Sequence, residues 1–406
     1  MPDVAGFDGT PPRRAAESQA ARPSAPALAL VALVLLALGL RGPVASVGPL
    51  LDELRADLGL EGTAAALLPT LPLICFGLLA PVAPAVSSRL GLHRAVLAGA
   101  LVLLAGVLLR GLGVAGLFAG TLLVGAGIAV VNVLLPALVK ADFPQRMALA
   151  TALSTSCLAL SAGLGAGLAQ PLREATGGPL TSLVAWAAVV LVGVLAWLPM
   201  ARRGRDTGPR AASRVLPLLR DRVAIAVTVF FGLQSMAYYT MLAWLPSVLR
   251  DAGVSAASAG AMLAVAAMLG APSSFVLPRL ALARPGQGRW VLVVAVPYVL
   301  GLLGLLLAPG HAPWVWAVLL GVGAGAAFPL ALTLVLVRSR DSAQAARLSA
   351  AAQGAGYAIA AAGPFGIGLL RELTGSWTVS LLVLLVLLGV QVTVGLAAAR
   401  DRLVTG

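Results

Sequence analysis

The 406-residue chain puts one arginine where charge is otherwise missing: the 18 residues before Arg41 and the ten after it are all uncharged. A guanidinium cannot shed its proton. At the centre of a membrane-spanning helix it costs about 2.5–3.5 kcal/mol on insertion scales. It must meet an anion, water or carbonyl oxygens. The nearest acids in sequence, Asp52 and Glu53, lie about 16 Å away along a helix axis. An arginine without a carboxylate can grip an oxyanion through two parallel N–H bonds. Pro43, two residues on, frees the Gly39 carbonyl and predicts a kink.

Other polar side chains sit inside apolar runs. They are Asn132, the group Thr151, Ser154, Thr155 and Ser156, the group Gln234, Ser235, Tyr238 and Tyr239, and the pair Gln353 and Tyr357. Gln234 and Tyr238 are four apart and share a helix face, as do Gln353 and Tyr357. The expected site is Arg41, Asn132, Gln234, Tyr238, Tyr239, Gln353 and Tyr357. In it the arginine holds an anionic or electron-rich group and the amides and phenols orient it. Static hydrogen bonds between helices, worth about 0.6 kcal/mol each, suit the serines and threonines of 151–156 better than they suit the tyrosines.

These side chains need elements to position them. The chain is 60% hydrophobic and 11% charged, against about a quarter charged in soluble domains. Charge is clumped, and uncharged runs lie between the clumps at 62–88, 147–172, 175–201, 223–249, 252–278, 348–370 and 373–399. Each is long enough to cross a hydrocarbon layer of roughly 30 Å. Runs 95–109 and 111–139 give two more spans. Run 290–337 gives another two, folded back at Ala308–Pro313. With the segment around Arg41 the count is twelve. No Asp or Glu falls inside any of these spans, and both histidines, His93 and His311, fall in loops. The fold class is an all-α integral membrane protein of twelve transmembrane helices in two six-helix bundles.

The net charge of +13 is topological. With cytoplasmic N- and C-termini, 22 of the 28 basic residues face the cytoplasm, five face outside and Arg41 lies within the membrane. That asymmetry fits the positive-inside rule and argues against a nucleic-acid partner. Residues 1–24 read as a disordered cytoplasmic tail without a cleavable signal. Cys75 and Cys157 fall inside helices and read as packed thiols. The 27 arginines against one lysine suggest a bacterial plasma membrane.

The charged stretch 201–222 acts as a cytoplasmic linker between bundles 25–200 and 223–400. An offset of 198 aligns Gly125-Ala126-Gly127 with Gly323-Ala324-Gly325, Lys140 with Arg338, Gly165 with Gly363, and LREATG (172–177) with LRELTG (370–375). An offset of 197 sets Pro49 against Pro246 and Arg41 against Tyr238. Duplication of a six-helix unit is a mark of transporters whose two halves face each other across a central site.

Several segments resemble the cyanate permease and 2-nitroimidazole transporter family of the major facilitator superfamily. They are RGPVASVGPLLDELRADLGL (41–60), ALLPTLPLICFGLLAP (66–81), GAGIAVVNVLLPALVKADFPQR (125–146), FFGLQSMAYYTMLAWLPSVLRDAGVS (230–255) and GAGAAFPLAL (323–332). The resemblance implies a secondary transporter for a small organic anion or small polar molecule, working by alternating access. Its cavity would be lined by helices 1, 4, 5, 7, 10 and 11. It implies no enzymatic activity and no cofactor or metal, and suggests a functional monomer in the lipid bilayer. A multidrug or metabolite exporter of the same fold is the alternative. In the superfamily's G-x-x-x-D-R-x-G-R-R loop this chain departs: Pro84 replaces the first glycine and Ser88 the aspartate. A coupling proton usually rides on an embedded Asp, Glu or His, so no protein carboxylate is expected to carry one here.

Overall fold

The computed structural model describes residues 25–80, 82–143, 145–202, 220–283, 286–340 and 342–405. The expected tail, 1–24, and linker residues 203–219 lie outside them. Among the described residues the chain forms helices α1 (Ala25–Ala45), α2 (Leu51–Leu58), α3 (Gly62–Leu79), α4 (Val82–Leu90), α5 (Leu92–Leu109), α6 (Gly113–Asp142), α7 (Met147–Thr176) and α8 (Pro179–Ala201). They continue as α9 (Arg222–Asp251), α10 (Ala256–Met268), α11 (Gly270–Leu282), α12 (Gly288–Leu307), α13 (Pro313–Val337), α14 (Ser342–Thr374) and α15 (Trp377–Ala398). A 3-10 turn, Gly48–Leu50, joins α1 to α2.

Helices are what long apolar runs must form where lipid offers no partner for backbone N–H and C=O groups. Eleven helical stretches among the described residues are long and apolar enough to cross a membrane. The remaining expected span is α14, a continuous 33-residue helix whose first half carries Gln344, Arg347, Ser349 and Gln353. Leu78, Leu195 and Val386 are among many large apolar side chains left on the outer surface. A belt of that size suits lipid rather than water.

The 198-residue repeat recurs in the bonding. Ser182 Oγ donates to the Ala169 carbonyl at 2.8 Å, and Ser380 Oγ donates to the Ile367 carbonyl at 3.3 Å. Thr176 and Thr374 each donate to the carbonyl four residues back, Leu172 and Leu370. Gly177 and Gly375 end these helices with positive φ, 82° and 66°, a turn that favours glycine. Gly165 packs against Gly42, while Gly363 packs against Thr240, again 198 apart on both sides.

The glycines of α7 serve two interfaces. A Cβ on Gly165 would come within 2.6 Å of the Gly42 carbonyl in α1, whereas one on Gly163 would meet Met268 of α10 at 2.4 Å. The first contact is packing within one half and the second joins the two halves, so both readings of small-residue spacing apply to one helix.

The rim formed by residues 46–63, 250–255 and 371–377 is closed. Arg250 Nη1 lies 3.1 Å from Asp52 Oδ2 and 3.0 Å from Glu53 Oε1. Thr63 donates to Glu372 at 3.1 Å. A Cβ on Gly48 would lie 2.1 Å from the Leu242 carbonyl, so only a glycine allows the two backbones to touch. Asp52 and Glu53 thus serve Arg250 and leave Arg41 to other partners. At the opposite end, Ser88 bonds within its own turn, to the Ala85 carbonyl. His93, expected in a loop, lies in the first turn of α5, where its Nε2 sits 3.0 Å from both Asp142 oxygens at the end of α6 beneath the stacked Trp197 ring.

Candidate functional site

Two devices weaken the backbone ladder of α1 around Arg41. Pro43 lies inside it and has no N–H to give the Gly39 carbonyl. The second device is a side chain from α7. Ser161 Oγ accepts from the backbone N–H groups of Arg41 (3.2 Å) and Gly42 (2.8 Å) and donates to the Leu38 carbonyl (2.6 Å). Leu38 and Gly42 are an i, i+4 pair, so the hydroxyl sits inside a rung of the helical ladder, an identifiable cause of bending. The backbone approach that permits this is Gly42 on Gly165. Nothing in the local sequence distinguishes Ser161 from the other hydroxyls of α7. Its role follows only from the crossing with α1.

Arg110 is one of the five basic residues expected on the outer side. It is fully buried, and its Nη1 donates to the Pro43 carbonyl at 2.5 Å and its Nε to Thr121 at 3.1 Å. Its guanidinium reaches back along the bundle because α5 ends one residue earlier while Gly106 and Gly120 leave room beside it. One arginine thus fixes the Pro43 carbonyl, while the other lines a cavity.

That cavity is small and partly open, with about 90 Å³ of internal space. Arg41, Gln234, Tyr238, Tyr239 and Tyr357 all line it, together with Thr155, Ser235, Ser274 and Phe328. Arg41 Nη1 donates to the Tyr239 hydroxyl, and its guanidinium carbon lies 5.5 Å from that ring's centre. The contact joins residues 198 apart, the spacing of the repeat, so it falls where matched positions of the two halves meet. Tyr239 rather than Tyr238 occupies the matched position. Tyr239 continues into an edge-to-face aromatic group with Tyr238, Phe76 and Tyr357, ring centres 5.3–6.3 Å apart. Among the described residues Arg41 forms no ion pair, and no Asp, Glu or His lines the cavity.

Two expected site residues lie apart from this lining. Asn132 is half-buried on α6, and the Gln353 amide donates to Ser349 on its own helix at 3.0 Å. The lining helices are α1, α7, α9, α13 and α14, as expected, plus the α10–α11 pair in place of α6. The reason is the interruption at Leu269, which ends α10 and begins α11. It brings Ala267, Gly270 and Ser274 to the cavity. A Gly in an apolar helical run is a weak sequence signal for such a break.

Because Ser161 satisfies three backbone groups, Ser161→Ala should destabilise the protein by about 1–3 kcal/mol, seen as a lower Tm in detergent, and should slow transport. Thr155→Ala should do far less to Tm, since Thr155 bonds only to carbonyls of its own helix, Thr151 and Ala152. Equal Tm values for the two variants would refute the wedge.

A polytopic helical protein built on a repeated half, with a polar cavity between the halves, is a solute carrier in class. The sequence profile described as Major Facilitator Superfamily matches residues 29–364. The chain belongs to the Major Facilitator Superfamily. It is 34% identical over 377 residues to the 2-nitroimidazole transporter of Escherichia coli (strain K12), covering 92% of this chain and 95% of that one. It is 32% identical over 351 residues to the cyanate transport protein CynX of the same organism, covering 86% and 91%. Its fold resembles a bacterial homologue of the human lysosomal transporter Spinster, solved in an inward-facing, unoccupied conformation. The TM-score is 0.73 at 14% identity, covering 95% of this chain and 100% of that one. The chain is therefore a multi-pass membrane transporter and not an enzyme.

Proposed function

We propose that this transporter moves a small organic anion or small polar molecule, of the cyanate or nitroimidazole kind, across the bacterial plasma membrane by alternating access. Arg41 is its anion contact. The observation that carries this reading is an arginine with no ion-pair partner among the described residues, on a Pro-containing stretch of α1 and lining a cavity with no carboxylate among its described residues. The printed names of the two relatives agree with a small, electron-rich cargo. The distribution of basic residues places both termini in the cytoplasm. The closed rim at 46–63, 250–255 and 371–377 is then the outer one, and the cavity serves the inner side.

The test is uptake and efflux in proteoliposomes with cyanate, 2-nitroimidazole and small carboxylates. Saturable movement of at least one, inhibited by the others, is the expected result. Failure of the whole panel would overturn the substrate class. With no carboxylate or histidine in the cavity, an imposed pH gradient should not concentrate a solute that does not itself titrate. Strong pH-driven accumulation of such a solute would show that a protein group carries the proton.

A further inference from the structure

Among the residues lining the cavity, one buried acceptor has no partner. Gln234 is 1% exposed, and its Nε2 donates to the Phe231 carbonyl at 3.0 Å and to Ser235 Oγ at 2.7 Å. A carbonyl oxygen can only accept, so the first bond settles which end of the amide is nitrogen. Both side-chain N–H groups are thereby used on α9 itself. The remaining atom, Oε1, is buried and unpartnered among the described residues. Other buried atoms without partners include several hydroxyls and tryptophan nitrogens, but none of those belongs to a residue lining this cavity. An amide oxygen only accepts, and a guanidinium only donates. The same chamber therefore offers one group that can only give hydrogen bonds and one that can only receive them.

Resting on the reading of this chamber as the solute site, we infer that the solute carries an N–H or O–H donor besides its electron-rich group, and that Gln234 Oε1 receives that donor. A bare pseudohalide anion satisfies Arg41 and leaves Gln234 unmet. A small azole, amide or hydroxylated acid whose acceptor and donor lie at opposite ends satisfies both. Sites built to bond a particular N–H or O–H reject analogues that lack it much more strongly than apolar pockets reject a missing methylene.

The probes are 2-nitroimidazole, its N-methyl derivative, and a derivative methylated on a ring carbon. The last has the bulk of the second but keeps the N–H. Binding and transport are measured at mildly acidic pH, where the ring nitrogen keeps its proton, in the full chain reconstituted into liposomes. The wild type should favour the two N–H probes over the N-methyl one by roughly tenfold or more. Gln234→Met should bring that ratio to within about twofold by weakening the N–H probes, with Gln234→Leu as a second variant should the first not assemble. Arg41→Ala should weaken all three alike. A wild type that treats the N–H and N-methyl probes equally, or binds none of them, overturns the inference. So does a Gln234 variant that keeps the preference. If Arg41→Ala leaves all three probes unaffected, the anion-contact reading fails instead, and the ratio between probes still reports on Gln234.

Discussion

Arg41→Ala should cut transport sharply without unfolding the protein. A bidentate, charge-assisted grip on a bound anion contributes about 2–5 kcal/mol when one partner is removed. The expected loss in transport efficiency is therefore between about 30-fold and several thousand-fold. Stability should move the other way or not at all. The guanidinium is only partly buried, it has no ion pair among the described residues, its one side-chain bond goes to a neutral phenol, and deleting a partly buried, unpaired charge relieves some desolvation cost. A structural arginine would give the opposite pattern, a lower Tm with transport partly kept. Arg41→Lys keeps the charge and loses the second parallel N–H bond, so it should retain activity reduced by about tenfold. Purified variants assayed side by side for Tm and for counterflow decide it. Transport persisting in Arg41→Ala would remove the arginine from the site.

Gly48→Ala holds the closed rim open. A methyl group there would lie 2.1 Å from the Leu242 carbonyl and 3.1 Å from that of Ala243, and both obstacles are backbone of α9. Overpacking of this kind costs about 1–3 kcal/mol. That cost falls only on the conformation in which the 3-10 turn touches α9, so the closed-to-open ratio should fall about 5- to 150-fold. Transport should drop accordingly, because a carrier that cannot seal one rim cannot complete its cycle. Ser46, buried in the rim itself, reports the change. In a background lacking Cys75 and Cys157, Ser46→Cys should resist a membrane-impermeant thiol reagent in the parent and react in the Gly48 variant. Gly366→Ala, where an added Cβ meets nothing within 4 Å, is the matched control. Unchanged labelling with unchanged transport would show that the contact at Gly48 is dispensable.

The sequence made the spans legible because lipid forces long uncharged runs into helices, and the clumped arginines marked where each run ends. Arg41 stood out for the same reason, as a charge that nothing nearby in sequence could neutralise. The Gln234/Tyr238 pair was visible through its four-residue spacing, and both residues line the cavity. What stayed hidden depends on how helices cross. Ser161 looks like any α7 hydroxyl until α1 lies against it. Arg110 ends an apolar run and reads as a loop residue, although glycines on α5 and α6 make room to bury it whole. The break at Leu269–Gly270 sits within an uncharged run long enough to read as one span, although Gly270, Pro272, Ser273 and Ser274 lower its hydropathy there. A repeat offset uncertain by one residue set Arg41 against Tyr238, and only the contact itself selects Tyr239.

That contact makes the chamber one-handed. The two halves share a spacing, paired serine bonds and paired terminal glycines, yet where the first half presents a cation the second presents a phenol. On the reading proposed above, cargo therefore enters with a fixed heading, its electron-rich end riding with α1 while the other half turns past it. Passengers with identical ends would gain nothing from that heading. Passengers with unlike ends would be sorted by it.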